Sequence, residues 1–295
     1  MISYSRDWQP ATGKFTEGFS GYVWVGYQDN QVLIGNMQSV VSPQYNPGAG
    51  FVERQNFILT NPVFELNWRP AWKPDIVRAF SPACYPAIYH GVSDGKLQEA
   101  ALYCEPVSID FQSGANITLF VEPTWQILPH DFEPLPEMRI AARSYQYTRW
   151  GVQANTDLSA QYSGTLNVNT GGYYDGQLTT IAASLSASPV PNIAFSVNYE
   201  YNEFRGVAGQ TQRSTHLFAP QVRLALNPRL QLMGFYQYNT AAERGGLNAR
   251  FSWEFEPLSF LFIVFNDNRS LPNPRFTTPF MRQEGIVKIS YLRQL

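Results

Sequence analysis

The feature that most restricts the fold of this chain is the alternation of apolar and polar residues over long runs. In residues 193–201 the odd positions are aliphatic or aromatic and the even positions are mostly polar, and residues 117–125 and 247–255 show the same alternation. Successive side chains of a β-strand point to opposite faces, so this period of two predicts strands with one apolar and one polar face. Apolar residues at helical spacing are interrupted everywhere by Gly, Pro or β-branched clusters, which argues against helices.

The alternation divides the chain into about sixteen predicted strands. Many are longer than the five or six residues usual in globular proteins, and they suit a tilted strand that crosses the roughly 25 Å apolar band of a membrane barrel. Their predicted spans are 2–6, 15–28, 31–41, 55–69, 75–90, 95–111, 115–128, 139–156, 160–172, 176–188, 191–204, 213–226, 230–240, 246–256, 258–268 and 284–294.

The connections between these strands alternate in length along most of the chain. The predicted short set is 28–30, 70–75, 112–114, 188–191, 227–228 and 256–257. The predicted longer set is 41–54, 128–138, 205–214, 241–245 and 269–283. Outer-membrane barrels have short periplasmic turns and long extracellular loops. Both termini fall on the short-turn side, as an even number of strands requires, and no linker divides residues 1–295 into more than one domain.

Composition leaves two classes of protein, a large soluble β protein and a transmembrane β-barrel, and the length of the predicted strands favours the barrel. Charged residues are 15% of the chain, against about 25% in an average soluble protein, and aromatic residues are also 15%. The longest apolar run, residues 260–265, is far shorter than the roughly 20 residues of a membrane-spanning helix. The sequence therefore predicts an all-β, antiparallel, up-and-down transmembrane β-barrel, with a soluble β-sandwich as the alternative. A net charge of -2 argues against a nucleic-acid partner.

Polar positions within the strands are mostly Asn, Ser, Thr, Gln and Gly, with isolated charges, which is typical of a lumen lining. The predicted lumen charges are Arg78, Asp110, Glu122, Glu200, Arg223, Arg250, Glu254 and Lys288. In residues 247–255 the odd positions, Leu247 to Phe255, are expected to face lipid and the even positions to face the lumen. Closure requires the first strand, 2–6, to pair with the last, 284–294, because an open edge inside hydrocarbon leaves backbone groups unsatisfied.

The only two cysteines lie on either side of one predicted turn, residues 91–96. A turn centred near residues 93–94 places opposite each other residues whose numbers sum to about 188. Cys84 and Cys104 satisfy that sum, and so do Arg78 and Asp110. Residues opposed on antiparallel strands are close enough for a disulfide, so the register predicts a Cys84–Cys104 disulfide and an Arg78–Asp110 charge pair.

Motifs for catalysis or cofactors are weak. His90, His130 and His216 lie in no metal-binding pattern, and the chain contains neither a Gly-x-Ser-x-Gly elbow nor a phosphate-binding loop that opens a helix. No cofactor is predicted. Glu200 and Glu254 could form a carboxylate pair for glycan hydrolysis if they were about 5 Å apart. Residues 171–176 (GGYYDG) predict a tight hairpin in which Asp-Gly supplies the positive φ and the tyrosines join the outer aromatic girdle, with an extracellular aromatic contact site as the alternative.

Several motifs, taken in order, resemble an uncharacterised bacterial family: the predicted outer-membrane barrel that follows a family-nine-type carbohydrate-binding module. They are residues 46–54 (NPGAGFVER), 110–114 (DFQSG), 172–176 (GYYDG), 253–257 (WEFEP) and 287–292 (VKISYL). The resemblance covers the barrel part from about residue 40 onward and implies that a module and further strands lie upstream. The chain departs from the family at Arg293, where members tend to carry an aromatic residue.

The sequence thus predicts a protein of the bacterial outer membrane that is not an enzyme. It would act as a channel, or as the membrane anchor of a surface or periplasmic carbohydrate-binding assembly. Its expected partners are membrane lipid, a glycan or small solute, and an upstream or partner chain. A barrel-embedded hydrolase acting on lipid or glycan and a soluble β-rich carbohydrate-binding protein are the alternatives. No stretch at the N-terminus has the order of a signal peptide, so the chain is expected to be mature, truncated or fused upstream.

Overall fold

The computed structural model describes residues 2–9, 13–48, 50–270 and 281–292, and almost all of these residues lie in strands or in the connections between them. The strands, in chain order, are β1 (Ile2–Gln9), β2 (Lys14–Gln28), β3 (Val32–Val41), β4 (Phe57–Leu66), β5 (Val77–Phe80), β6 (Ala83–His90), β7 (Leu97–Phe111), β8 (Asn116–Ile127), β9 (Phe132–Leu135), β10 (Met138–Ile140), β11 (Ser144–Asn155), β12 (Tyr162–Tyr173), β13 (Gly176–Val190), β14 (Ile193–Arg205), β15 (Gln212–Asn227), β16 (Leu230–Asn239), β17 (Arg244–Glu256), β18 (Ser259–Ser270) and β19 (Met281–Ser290). Apart from a 3-10 turn at Val207–Gly209, the described residues contain no helix.

All strands except β9 and β10 belong to one large antiparallel sheet with up-and-down connections. β5 and β6 both pair with β7, and they form one strand that is interrupted at Ser81 and Pro82. Pro82 has no N–H to donate to a ladder, which accounts for a break at this point. Counting β5 and β6 as one, the seventeen strands of the sheet occupy sixteen positions. The all-β, up-and-down prediction of about sixteen strands is confirmed, whereas the small β9–β10 hairpin was not predicted.

The register keeps apolar residues on one face of the sheet and polar residues on the other. Phe251 of β17 lies between Leu232 of β16 and Ile263 of β18, on what we call the apolar face. The alternate residues of each strand point the other way and form the polar face. There Asn248 lies opposite Asn266, and their side chains are hydrogen-bonded. The odd positions of residues 247–255 therefore share one face and the even positions share the other, as predicted.

The apolar face is widely exposed. Leu185 retains 65% of its accessible surface, Trp150 58% and Trp253 44%. Because every described strand except β9 and β10 belongs to the one sheet, no second layer of described residues covers this face. The buried cluster, formed by residues such as Met138, Ile140 and Phe204, lies instead against the polar face, beneath a loop.

The connections lie along two edges of the sheet. The short-turn edge carries residues 29–31, 67–76, 112–115, 156–161, 191–192, 228–229 and 257–258. The long-loop edge carries residues 42–48, 50–56, 91–96, 128–143, 174–175, 206–211 and 240–243. Most of the predicted connection 269–283 lies outside the described residues. The predicted alternation holds for most connections. The exceptions are residues 67–76 and 156–161, two longer connections on the short-turn edge, and residues 174–175, a tight turn on the long-loop edge.

The first and last strands of the sheet are each paired with one neighbour. β1 pairs with β2 and β19 pairs with β18, and no ladder joins β1 to β19 among the described residues. Pairing of residues 2–6 with residues 284–294 therefore stays a prediction, as does closure of the sheet into a barrel.

Cys84 of β6 lies opposite Cys104 of β7, and the two are joined by a disulfide with Cα atoms 4.1 Å apart. The register is the one that the centre of the turn predicts. The register shifts in β5, the part of this interrupted strand that lies farthest from the turn, where Ala79 rather than Arg78 lies opposite Asp110. The expectation that Arg78 directly opposes Asp110 is therefore wrong by one residue, because Arg78 is the extra residue at an irregularity between Val77 and Ala79. Its guanidinium still lies 3.9 Å from the Asp110 carboxylate.

Candidate functional site

The connection 128–143, which we call loop B, folds inward over the polar face. It contains the β9–β10 hairpin, and Met138 and Ile140 pack with Phe204 and Val207 in the buried cluster. Its backbone also accepts hydrogen bonds from distant side chains: the Gln210 amide donates to the carbonyl of Glu137 at 2.8 Å. The loop leaves the sheet after β8 and reaches the connection after β14, which is about 20 Å of sheet at roughly 4.8 Å per strand. Loop B therefore covers one end of the polar face.

Asp131 fastens loop B internally. One carboxylate oxygen accepts the backbone N–H of Ala142 at 2.8 Å, and the other accepts the Arg139 guanidinium at 2.6 Å. Both interactions favour the charged form, so they hold the pKa of the Asp131 carboxyl below its usual value, and the Ala142 hydrogen bond has the larger effect. The ionised Asp131 side chain, just before β9, thus holds the residues in and after β10 and joins the two ends of the hairpin.

Tyrosines from β11, from β12 and from the turn after β12 line the polar face beneath loop B. The Tyr174 ring lies 5.2 Å from Tyr145, 5.6 Å from Tyr147 and 4.7 Å from Tyr173, measured between ring centroids. Burial raises the pKa of the Tyr174 hydroxyl to about 12. These tyrosines face inward, so the expectation that those of residues 171–176 join an outer girdle is wrong. The positive φ also falls at Tyr174, at 52°, and not at Asp-Gly, because Tyr174 is the first residue of a two-residue turn.

The connection 42–56, which we call loop A, also folds onto the polar face. The Tyr45 hydroxyl donates to Ser3 Oγ at 2.8 Å, and the Asn46 N–H donates to Ser5 Oγ at 2.9 Å. The backbone of Tyr45 rests directly on Gly18 of β2: a Cβ at Gly18 would lie only 2.3 Å from the Tyr45 Cα. Glycine is required at position 18 for this close approach.

Arg54 connects the other end of loop A to β7. Its guanidinium donates to Glu99 Oε2 at 2.8 Å and to Gln98 Oε1 at 3.0 Å, and it lies 4.4 Å from the centroid of the Tyr89 ring. The Gln126 amide donates to the same Glu99 oxygen at 3.3 Å. The ion pair with Glu99, the contact with the Tyr89 ring and the hydrogen bonds of Gln98 and Gln126 thus hold loop A against the sheet.

Two cavities meet at Glu99. The outer one, of about 1020 Å³, lies between loop A, the 91–96 connection and the end of β8, and its lining includes Phe51, Arg54, Tyr89 and Gln126. The deeper one, of about 360 Å³, is lined by the polar-face side chains of β7, β8, β11, β12 and β13. These include Glu99, Glu122, Tyr147, Arg149 and Asn169. Arg149 lies opposite Glu122 in the register and donates to Asn169 Oδ1 and to the carbonyl of Leu178. The cavities form a polar path from the long-loop edge towards the middle of the sheet.

The register places the predicted lumen charges Asp110, Glu122, Glu200, Arg223, Arg250, Glu254 and Lys288 on the polar face. Glu122 alone of this set lines the two cavities. Arg54, Glu99 and Tyr147, which organise the path, were not predicted. Their sequence signal is slight: Glu99 and Tyr147 fit the polar alternation, but Arg54 lies in a loop and acts through a partner in a distant strand.

Glu200 and Glu254 are not arranged as a hydrolytic pair. They lie on β14 and β17, with β15 and β16 between them, so their strands are about 14 Å apart at roughly 4.8 Å per step. Retaining hydrolysis needs carboxyl groups about 5 Å apart and inverting hydrolysis about 6.5–9.5 Å. Glu200 instead accepts the Asn202 amide at 2.7 Å, and Glu254 accepts the Leu258 N–H at 2.9 Å.

The histidines are also dispersed. His90 ends β6, His130 lies in loop B, and His216 lies on β15, where Nδ1 is 2.9 Å from the Tyr199 hydroxyl. In the described part of the chain, no group of three or more His, Cys, Asp or Glu side chains could hold a metal ion.

No described helix is long and apolar enough to span a membrane.

Comparison with known proteins adds no assignment. The chain matches no protein-family model, no curated protein and no solved structure. The resemblance to the barrel that follows a carbohydrate-binding module therefore stays a prediction.

Proposed function

We propose that this chain is a transmembrane β-barrel of the bacterial outer membrane, with the apolar face towards lipid and the polar face around an aqueous lumen. The observation that carries the proposal is the exposed apolar face of a single large sheet. Soluble monomers rarely expose apolar patches beyond a few hundred Å², because such surface drives association. A soluble carbohydrate-binding sandwich would bury this face against a second sheet. In lipid, the apolar face is stable without a second layer that covers it.

The distribution of charge on the apolar face supports the same proposal. Its charged residues in the described strands lie towards the long-loop edge and are paired with each other: Arg6 with Glu17 at 3.3 Å, Arg205 with Glu203 at 2.8 Å, and Arg269 with Asp267 at 2.5 Å. Elsewhere this face carries no charge in the described strands. On β14 the uncharged band runs over residues 193–201, roughly 27 Å along the strand or about 20 Å of height at a tilt near 40°. That height is close to the apolar band of outer-membrane barrels, about 25 Å.

A closed barrel of sixteen strands encloses an aqueous channel unless loops fill it. Loops A and B fold onto the polar face and leave the path that begins with the 1020 Å³ cavity. We therefore favour a channel for small polar solutes, narrowed at the long-loop edge by these two loops. Closure would join β1 to β19, since backbone groups at an open edge are not satisfied in hydrocarbon.

A membrane anchor with a filled lumen is the second candidate, because loop B covers part of the polar face through the buried cluster. A carbohydrate-binding partner for such an anchor follows from the sequence resemblance alone.

Two measurements on the full chain test the proposal. A folded barrel in detergent should migrate differently on a gel from a boiled sample, and identical migration would contradict the membrane barrel. In planar bilayers a channel should give discrete conductance steps. A heat-modifiable protein without conductance would support the anchor in place of the channel.

A further inference from the structure

A group of cations lies on the polar face of β15 to β19, away from the cavities at loops A and B. Arg223 of β15 and Arg250 of β17 lie on either side of Met233 of β16 in one row of the register. Each step between opposed residues is about 5 Å, so the two backbone positions are about 10 Å apart. Lys288 of β19 completes the group from the other side of β18. All three side chains are exposed.

Two stacked phenyl rings lie among these cations. Phe260 and Phe262 of β18 have centroids 5.5 Å apart and planes inclined by 14°. The Arg250 guanidinium lies 5.1 Å from the Phe262 centroid, and Lys288 lies opposite Phe262 in the register. Both rings are partly exposed on the polar face, which also carries the apolar side chains Met233, Phe235 and Val264 in this region. The two rings form an aromatic surface beside the positive charges of Arg250 and Lys288.

The cations of this group are not neutralised by neighbours. Between described residues, no carboxylate oxygen lies within 4.0 Å of Arg223, Arg250 or Lys288, whereas Arg54 and Arg78 each have such a partner. Glu284 of β19 lies on the same face, in the row of Asn248 and Asn266, and is paired with Arg282 at 3.5 Å. Glu254 of β17 lies opposite Phe260. Its carboxylate is held by the backbone N–H of Leu258 in the adjacent turn, at 2.9 Å. The group therefore presents positive charge to whatever enters the polar face.

We propose that Arg250, Lys288, Phe260 and Phe262 form a binding site for aromatic organic anions. The ring of the ligand stacks on the phenyl pair, and its carboxylate or sulfonate accepts hydrogen bonds from the Arg250 guanidinium and the Lys288 ammonium. Arg223 adds attraction for a second anionic group, because it lies in the same register row as Arg250, two strands and about 10 Å away. The site consists of neighbouring strands alone, so it depends neither on closure of the sheet nor on conductance.

Terephthalate is a suitable probe, because it is a rigid aromatic dianion that does not partition into neutral detergent. Its binding to the full chain in maltoside micelles is measured by calorimetry or by saturation-transfer NMR. Cyclohexane-1,4-dicarboxylate has the same charges without the aromatic ring, and we expect it to bind about fivefold more weakly. Equal affinities for the two probes would show that Phe260 and Phe262 do not contribute to binding.

The variants R250Q and K288Q should each weaken terephthalate binding by about tenfold, the effect of losing one charge-assisted hydrogen bond. Arg244, on the same strand and face but at the long-loop edge, provides the matched control R244Q, which should bind as the unmodified chain does. The variant F262L should abolish the preference for the aromatic probe and leave binding of the cyclohexane analogue unchanged.

Folding of each variant is checked by heat-modifiable migration. Unchanged binding in the R250Q/K288Q double variant, or equal losses in R244Q, would overturn the site. A chain that binds terephthalate but does not conduct would retain this site and refute the channel.

Discussion

Placing an arginine on the apolar face should destabilise the chain in lipid and would be nearly neutral in water. Phe251 lies near the middle of β17, between Leu232 and Ile263. If this face meets hydrocarbon, Phe251→Arg costs about 2–4 kcal/mol, the penalty for arginine at the bilayer midplane. If the face meets water, the same change at a partly exposed position stays within about 0.5 kcal/mol. The magnitude therefore separates the two environments.

The matched control is Ser252→Arg, the next residue of the same strand, which lies on the polar face opposite Phe262. It should change the free energy of unfolding by no more than about 0.5 kcal/mol. Phe255→Arg, near the end of β17, should cost only about 0–1 kcal/mol, because the penalty falls towards the interface. The assay is urea unfolding in phosphatidylcholine vesicles, followed by tryptophan fluorescence and gel migration. Equal costs at positions 251 and 252 would refute the assignment of the two faces.

Three further predictions concern the disulfide and the two loops. Reduction of Cys84–Cys104, separated by 20 residues, should lower the free energy of unfolding by about 3 kcal/mol in the chain-entropy estimate; alkylation and mass spectrometry should find no free thiol before reduction. Gly18→Val should displace loop A and speed its proteolysis, since a side chain there meets the Tyr45 backbone; unchanged cleavage would contradict the docking. The pKa of Asp131 is lowered in the folded chain, so its contribution to the stability of loop B is complete above pH 3.8, the ordinary value, and is lost as the pH falls through the lower folded value. Proteolytic cleavage of loop B should therefore rise only in that acidic range. Asp131→Asn should remove this dependence of cleavage on pH.

Period-two alternation predicted most of the strands because it is a local property. β14 was expected at 191–204 and runs from Ile193 to Arg205, and β17 was expected at 246–256 and runs from Arg244 to Glu256. The Cys84–Cys104 register followed from the centre of one turn, because the ladder between that turn and the cysteines keeps its pairing apart from a shift beside the turn, at His90. The same sum of residue numbers gave the wrong partner for Arg78, because an extra residue in β5 shifts the pairing. The alternation of the sequence does not show this extra residue.

The path at the long-loop edge could not be predicted, because it depends on where loops A and B fold. The contact of Tyr45 with Ser3 and that of Arg54 with Glu99 join residues 42 and 45 positions apart in sequence. Neither loop has a periodic pattern that would show which face it covers. The inward direction of Tyr174 has the same origin, since it is set by packing beneath loop B and not by the turn motif.

Accessibility of a nitroxide label along β14 tests the membrane barrel most directly. Both cysteines are in the disulfide, so single cysteines introduced at positions 193–201 can be labelled selectively without further changes. In vesicles, labels at the odd positions should be accessible to oxygen dissolved in lipid, and labels at the even positions to a water-soluble nickel complex. The two accessibilities should therefore alternate with a period of two and in opposite phase. High nickel accessibility at every position, or no alternation, would contradict a sheet that lies between lipid and a water-filled lumen.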